Sequence, residues 1–240
     1  MRLIKWEKLP EEMRNDQVKI YYDILKKKKV SLFFKRLFDI VVSSVMLIVF
    51  FPFFIILALA IKIDSKGPVF YRQERITQYG RKFKIFKFRT MVANADKIGS
   101  QVTVKGDMRV TRVGKLIRKC RLDELCQVID VFRGTMTFVG TRPEVYKYVE
   151  KYSPKMMATL LLPAGVTSLA SICYKDEDEL LDVSENPDKT YVEVIIPEKM
   201  KYNLYDLKRC GFFRDIKLMF MTVFAVLGKK YDINVEDENE

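Results

Sequence analysis

The sequence predicts a mainly α-helical protein with one small β-hairpin, seated on a membrane by a single hydrophobic segment. Three observations carry this: an uncharged run of 22 residues from Ile40 to Ile61, two strand-like runs around the turn "TQYGR", and an apolar stripe at helical spacing between Val113 and Phe132. With 240 residues, 49% of them hydrophobic, the chain is long and apolar enough to bury a core.

The run "IVVSSVMLIVFFPFFIILALAI" would reach about 33 Å as one straight helix, roughly the hydrocarbon thickness of a bilayer. It begins 39 residues into the chain, behind polar and charged sequence, unlike the apolar core of a signal peptide. Pro52 lies near its middle, where it removes a backbone hydrogen bond and predicts a kink. Both flanks are basic, with Lys26 to Lys29, Lys35 and Arg36 before the run and Lys62, Lys66 and Arg72 after it. That symmetry gives no orientation for a single crossing and suits a segment that dips in and returns to the same side. A Pro-kinked spanning helix fits the same residues, and the two readings stay open at this level.

In "DSKGPVFYRQERITQYGRKFKIFKFRTM", residues 64–91, two runs of strand formers meet at a turn ending in Gly80, which predicts the hairpin. The second run interleaves Phe83, Ile85, Phe86 and Phe88 with Lys82, Lys84, Lys87 and Arg89. Such a mixture can bind single-stranded nucleic acid by stacking and charge. Beside a membrane segment the favoured use is another, with aromatics packed inward or towards lipid and bases facing headgroups or a phosphate-bearing ligand.

From Val113 to Phe132, Leu122, Leu125, Ile129 and Phe132 fall three, four and three apart, predicting one buried helical stripe. Asp123 and Glu124 flank it. Spacing alone makes them ordinary helix ion pairs, Lys119 with Asp123 and Arg121 with Glu124. "FVGTRPE", 138–144, is a rigid turn presenting Arg142, and "KDEDEL", 175–180, lacks calcium-loop spacing and reads as a solvated acidic loop. "FFRDIKLMFMTVFAVLGKK", 212–230, is an apolar helix for the core, the interface or the membrane, with Arg214, Asp215 and Lys217 near its start disfavouring full spanning.

The formal charge is +12; the last ten residues hold five acids and no bases, so residues 1–230 carry +17 and an anionic partner is expected. The chain has no histidine, which excludes Ser-His-Asp and Cys-His catalysis and His-ligated metal. Acid and base work falls to Asp, Glu, Lys or Tyr. Cys120, Cys126, Cys173 and Cys210 form no CxxC pair, so reduced thiols are expected.

Taken in order, "KRLFDIVVSSVMLIVFFPFF", "GPVFYRQERI", "KIFKFRTM", "DMRVTRVGKLIRKCRLDELCQVIDVFRGTMTFVGTRPE" and "FFRDIKLMFMT" resemble the bacterial sugar transferase family, the monotopic polyprenyl-phosphate phosphoglycosyl transferases. The resemblance covers roughly residues 32–227 and is densest at 107–144. It implies a monotopic membrane protein with a re-entrant N-terminal membrane helix, interfacial helices and a compact cytosolic catalytic domain. The implied divisions are a basic, polar segment at 1–31, the re-entrant helix at 32–66 kinked at Pro52, the transferase domain with its interfacial helices at 67–230, and an acidic tail at 231–240.

The implied activity is transfer of a sugar 1-phosphate from a nucleotide diphosphate sugar, a UDP-sugar by expectation, to undecaprenyl or another polyprenol phosphate. Its setting is the cytoplasmic face of a bacterial inner membrane, and it opens synthesis of a surface polysaccharide or glycoconjugate. Asp123 and Glu124 match the family's Asp-Glu dyad. Asp123 would be the nucleophile, passing through an aspartyl phosphosugar, and Glu124 would help to hold Mg²⁺ or adjust protonation, both residues serving as metal ligands. Lys87, Arg89, Arg118 and Arg142 match the phosphate-binding bases, with Thr90 as a hydroxyl donor. On one ideal helix Arg118 and Asp123 point about 140° apart, so contact with a shared phosphate requires a bend in the chain or a bridging ligand.

The implied partners are the nucleotide sugar, the polyprenol phosphate and the bilayer, with no nucleic acid; a second copy of the chain is kept open as a partner. Several positions depart from the family pattern. Phe51-Pro52 stands for the usual Ser-Pro, "GTRP" for "GPRP", "LDELCQ" for "LDELPQ" or "LDELLQ", Asp130 for Asn, "GTMT" for "GDMS", and "LPAGVTSLASI" for the downstream "RPGITG" region. The alternative function is a basic membrane-associated adaptor that binds anionic lipid or nucleic acid through "RKFKIFKFR" without catalysis.

Overall fold

The computed structural model describes residues 1, 3–95, 107–174, 184, 186–233 and 235. Helices dominate, joined by two two-stranded sheets. The acidic 175–180 run lies outside the described residues, as does most of the acidic tail.

Helix α1 (Asp16–Lys27) starts where the Asn15 side chain accepts from Val18 N at 2.9 Å, a standard N-cap. Its buried residues Val18, Tyr21, Tyr22 and Leu25 recur on one face and pack with Leu9 and Met13 against Leu160, Leu161, Leu204 and Leu207. The segment at 1–31, read as merely polar, therefore contributes one of three core clusters.

Helix α2 (Lys29–Asp64) runs 36 residues and stays helical through Pro52. Leu32, Lys35, Asp39, Ser43, Leu57 and Ile61 form its buried stripe, at helical spacing within each arm. The opposite face exposes Phe33, Leu37, Val41, Ile48, Ile56 and Ile63. Between the arms, Ile48, Val49, Phe51 and Pro52 are all exposed, whereas Phe38, Val42 and Met46 before them and Phe53, Phe54 and Leu57 after them pack on the rest of the protein. Both arms thus rest on one body. Among the described residues α2 is the one helix long and apolar enough to cross a membrane.

The predicted hairpin is present. Strands β1 (Phe70–Ile76) and β2 (Lys82–Phe88) pair antiparallel in the register Phe70↔Phe88 to Ile76↔Lys82. They turn through Gln78–Gly80, where Tyr79 and Gly80 take φ of 60° and 71°. Phe83, Ile85 and Phe88 are buried, and Arg72 covers the Phe86 ring at 3.5 Å. The aromatics face inward, which removes the stacking platform a single-stranded nucleic acid would need.

The predicted helix over 113–132 is three pieces: α3 (Arg112–Lys119), a 3₁₀ helix (Leu122–Gln127) and α4 (Val128–Arg133). Arg121 breaks the run by adopting a left-handed conformation at φ 52°, ψ 27°. The buried residues become Ile117, Cys126, Val128 and Val131, while Phe132 is exposed. Gly134, at φ 82°, ends α4 with its N–H on Val131 O, and Arg36 of α2 donates to the carbonyls of Val131 and Phe132 at 2.7 and 2.8 Å.

Strands β3 (Met136–Val139) and β4 (Ala164–Thr167) pair in parallel. Beyond β3 the backbones touch at Gly140 and Gly165, where a Cβ on Gly165 would lie 2.2 Å from Gly140. A short helix α5 (Tyr146–Val149) lies between these strands in the chain, and α6 (Leu169–Cys173) follows β4. Helix α7 (Pro187–Thr190) continues through a π-helical turn, Tyr191–Ile195, into α8 (Ile196–Arg209). Helix α9 (Phe212–Val226) packs on α2 and β3 and exposes Phe213, Phe220, Val223 and Phe224. The four cysteines are free thiols.

Candidate active site

β2 carries Lys87 at its end, and the chain runs straight on through Arg89 and Thr90. α3 brings Arg118 alongside, where its Nε donates to Thr90 Oγ1 at 2.8 Å and its terminal nitrogens keep no partner among the described residues. The break at Arg121 then turns the chain so that Asp123, in the 3₁₀ helix, lines the same cleft as Arg118. The bend that a shared phosphate demanded is present in the backbone.

The expected helix ion pairs of the dyad do not form; Glu124 reaches across the fold instead. Lys87 Nζ donates to its Oε1 at 2.8 Å, Arg142 Nη1 to its Oε2 at 3.0 Å, and Arg142 Nη2 also to Oε1. Burial pushes this carboxyl up, but the Arg142 and Lys87 charges outweigh it and hold Glu124 well below the usual carboxylate range. Its neighbour differs. Asp123 is half-buried, and no cation pairs with its carboxylate among the described residues. Burial, then the charge of Glu124, pushes Asp123 above the usual range, with Lys87 opposing. Adjacent acids with divergent proton affinities mark a division of roles.

The remaining predicted residues separate into two groups. Lys87, Arg118 and Asp123 line one cleft of about 930 Å³, while Arg142 approaches through Glu124. Thr90 orients Arg118. Arg89 is buried, and its guanidinium turns to the end of α2, Nη2 donating to Ser65 O at 2.7 Å, Ser65 Oγ at 2.8 Å and Ile61 O at 3.3 Å. Its Nε and Nη1 are buried without a hydrogen-bond partner among the described residues. Asp130, in place of the family's Asn, accepts from Phe86 N at 2.8 Å and ties β2 to α4.

Besides the inward-turned Arg89, six basic residues line the cleft against Glu74 and Asp123, so it favours an anion of several charges. Arg75, Arg109 and Lys147 were not legible as cleft residues from local sequence. The hairpin register could have found the first: Tyr71 pairs with Lys87, and Gln73 and Arg75 continue the same face by twos. Arg75 also donates to Pro143 O at 3.2 Å, and Tyr191 OH donates to Glu144 at 2.7 Å, holding the turn that presents Arg142.

Among the described residues no group of three His, Cys, Asp or Glu side chains could hold a metal. The two adjacent carboxylates fit Mg²⁺ in one way: this ion takes oxygen ligands, keeps several waters, and is commonly held by one or two carboxylates plus substrate phosphates. Of the two, Asp123 has no cation partner among the described residues, while Glu124 could ligate only if Lys87 and Arg142 gave up their bonds to it.

The family model described as bacterial sugar transferase matches residues 30–229. A UDP-N-acetylgalactosamine-undecaprenyl-phosphate N-acetylgalactosaminephosphotransferase of Aeromonas hydrophila is 33% identical over 198 residues, 81% of this chain and 44% of its own. A UDP-glucose:undecaprenyl-phosphate glucose-1-phosphate transferase of Klebsiella pneumoniae is 37% identical over 201 residues, 81% of this chain and 40% of its own. The chain therefore spans less than half the length of these two. Against the exopolysaccharide production protein ExoY of Rhizobium meliloti (strain 1021), 30% identity extends over 80% of this chain and 84% of that one.

Proposed function

The chain belongs to the bacterial sugar transferase family, and on that premise we propose that it transfers a sugar 1-phosphate from a UDP-sugar to undecaprenyl or another polyprenol phosphate. The setting is the cytoplasmic face of a bacterial inner membrane, and the product begins a surface polysaccharide or glycoconjugate. The activities of these two relatives, which transfer sugar phosphates from UDP-sugars to undecaprenyl phosphate, support the choice of donor and acceptor. The observation that carries the reading is the unpaired Asp123 carboxylate in a basic cleft, next to a Glu124 already committed to two cations.

Arg118, with its free nitrogens, receives the diphosphate first. The diphosphate then competes with Glu124 for Lys87 and Arg142, which adds two cations around the phosphates and frees Glu124. An oxygen of Asp123 bonds to the β-phosphorus, and the bond from that phosphorus to the bridging oxygen breaks. Its electron pair leaves on the nucleoside monophosphate, and an aspartyl phosphosugar remains. A phosphate oxygen of the polyprenol phosphate next attacks the same phosphorus, returning the electron pair to Asp123 and releasing the polyprenyl diphosphate sugar. Asp123 and Glu124 would hold Mg²⁺ together with the substrate phosphates, and the ion would supply neutralisation of the charge that builds in these displacements. Thr90 and Arg89 act indirectly, by orienting Arg118 and by holding the cleft wall to α2.

We further propose that α2 is re-entrant. The support is that side chains of both arms, Phe38, Val42 and Met46 before and Phe53, Phe54 and Leu57 after, pack on the same body while Ile48, Val49, Phe51 and Pro52 are exposed, as the tip of a segment that enters and returns would be. The exposed apolar face of α9 suits the interfacial helix of this arrangement.

The test is release of UMP by the protein in nanodiscs with Mg²⁺, undecaprenyl phosphate and a panel of UDP-sugars. Without acceptor, a donor labelled in the sugar should leave label on the wild type and none on Asp123→Asn. Normal turnover by folded Asp123→Asn would sink the covalent mechanism. Single cysteines placed at Lys27 and Lys66 should react with an impermeant reagent from one side only; reaction from opposite sides would make α2 a crossing helix.

A further inference from the structure

The last turn of α2 is bonded to both elements that present phosphate-binding groups. On one side is the Arg89 clamp on Ser65 and Ile61 described above. On the other, Asp64 Oδ2 accepts from Val113 N at 2.9 Å. Thr111 is the N-cap of α3, accepting from Gly114 N at 3.0 Å, and its own N–H donates to Thr90 O at 3.0 Å. The fit leaves no slack: a Cβ on Gly114 would lie 2.0 Å from Thr90 O. Two turns along α3, Ile117 packs with Leu57 and Ile61 of α2, and Arg118 leaves the helix for Thr90 Oγ1 and the cleft.

We infer that Asp64, the final residue of the membrane helix, is a positioning residue for the phosphate site, fixing through α3 where Arg118 stands relative to Asp123. This rests on the transferase reading. A cap that served only α3 would not need to come from α2, because Thr111 already caps that helix from within. What Asp64 adds, beside the Arg89 clamp and the Ile117 packing, is a polar registration of the start of α3 against the end of the membrane segment. The acceptor reaches the site along the bilayer; through Asp64 the donor's phosphates are placed with reference to that same surface.

The experiment is a double-mutant cycle in the full chain in nanodiscs, read by the affinity for UDP and by KM and kcat for a UDP-sugar. Loss of a hydrogen bond to a charged group predicts about a tenfold weaker UDP affinity and a matching rise in KM for Asp64→Ala. The unfolding temperature stays near that of wild type. Asp64→Asn, which keeps the accepting oxygen, should restore most of the affinity. Val113→Pro removes the same bond from the donor side at a position where a first helical turn tolerates proline, and should reproduce the loss if Asp64→Ala proves unstable. In an Arg118→Ala background, Asp64→Ala and Val113→Pro should cause no further weakening. Undiminished losses in that background, or unchanged UDP affinity in both variants, overturn the inference. A wild-type protein that binds no UDP fails the transferase reading itself and removes the inference with it.

Discussion

Two clusters of charge within this fold use the same side-chain types to different ends. In the first, Lys35 of α2 donates to Val139 O at 2.7 Å and to Asp215 of α9, while Asp39 accepts from Thr137 Oγ1 at 2.8 Å and Phe138 N at 3.2 Å. Lys35, Asp39 and Asp215 are all buried, and three elements meet on them. In the second, Glu124, Lys87 and Arg142 form an equally well-bonded group that opens on the cleft, and the adjoining Asp123 has no cation partner among the described residues. The closed cluster assigns its charges and fixes α2 to the body. The open one holds a carboxylate in reserve, which stability alone would not favour, and that asymmetry is the support for placing the proposed chemistry there.

The comparison breaks most decisively at Asp123. Asp123→Asn should lower UMP release by about 10³-fold or more and yet unfold no earlier than the wild type. The sign follows from its raised pKa: the folded state holds the proton more tightly than the unfolded chain, so ionised Asp123 lowers stability at neutral pH. The thermal advantage of Asn should therefore shrink as pH falls through the Asp123 pKa. Next come Lys35→Ala and Asp215→Ala, each leaving a buried charge alone, for about 3–5 kcal/mol of lost stability in denaturant titrations. The apolar pair Lys35→Met with Asp215→Leu should recover most of it, since a buried ion pair rarely outperforms good packing.

Smaller effects sharpen the contrast. Glu124→Gln should reduce stability by about 1–2 kcal/mol, because two cations lose their carboxylate. It should also bind UDP several-fold more tightly in the absence of Mg²⁺, the competitor for Lys87 and Arg142 having been weakened; weaker binding in calorimetry would count against the proposed exchange. Activity should decline on acidification at a pH above the usual carboxylate range of about 4, since Asp123 must be ionised to attack. That decline is readable in a pH profile of kcat. At the bottom of the scale, Lys82→Ala breaks an exposed pair with Glu74 and should shift stability by about 0.5 kcal/mol or less.

Periodic features of the sequence were legible because their cause is local. The apolar run of α2, the hairpin around Gln78–Gly80 and the apolar helix at 212–226 all appear where composition and turn chemistry place them. What escaped was set by tertiary contact. An arginine rarely adopts a left-handed conformation, so nothing in "KCRLDE" announced the break at Arg121, and the ion pairs drawn on an unbroken helix went with it. The strands "MTFV" and "AGVT" are four residues each, buried and parallel, with no alternation to read. The direction of Arg89, inward to α2, depends on where a helix 24 residues earlier ends. The site residues came from motif resemblance. Their division into an unpaired Asp123, a committed Glu124 and an indirect Arg89 came only from the fold.

Pro52 has one further consequence. Having no N–H, it offers nothing to the carbonyl of Ile48 one turn earlier, at the part of α2 that stands clear of the protein. In hydrocarbon a bare carbonyl costs several kcal/mol, so lipid at that depth must let water or a headgroup through to it. On the re-entrant reading proposed above, this tip would draw a wet dimple into the leaflet it enters. A polyprenol phosphate, whose charged head resists leaving water, would find in that dimple a shallower path towards the cleft.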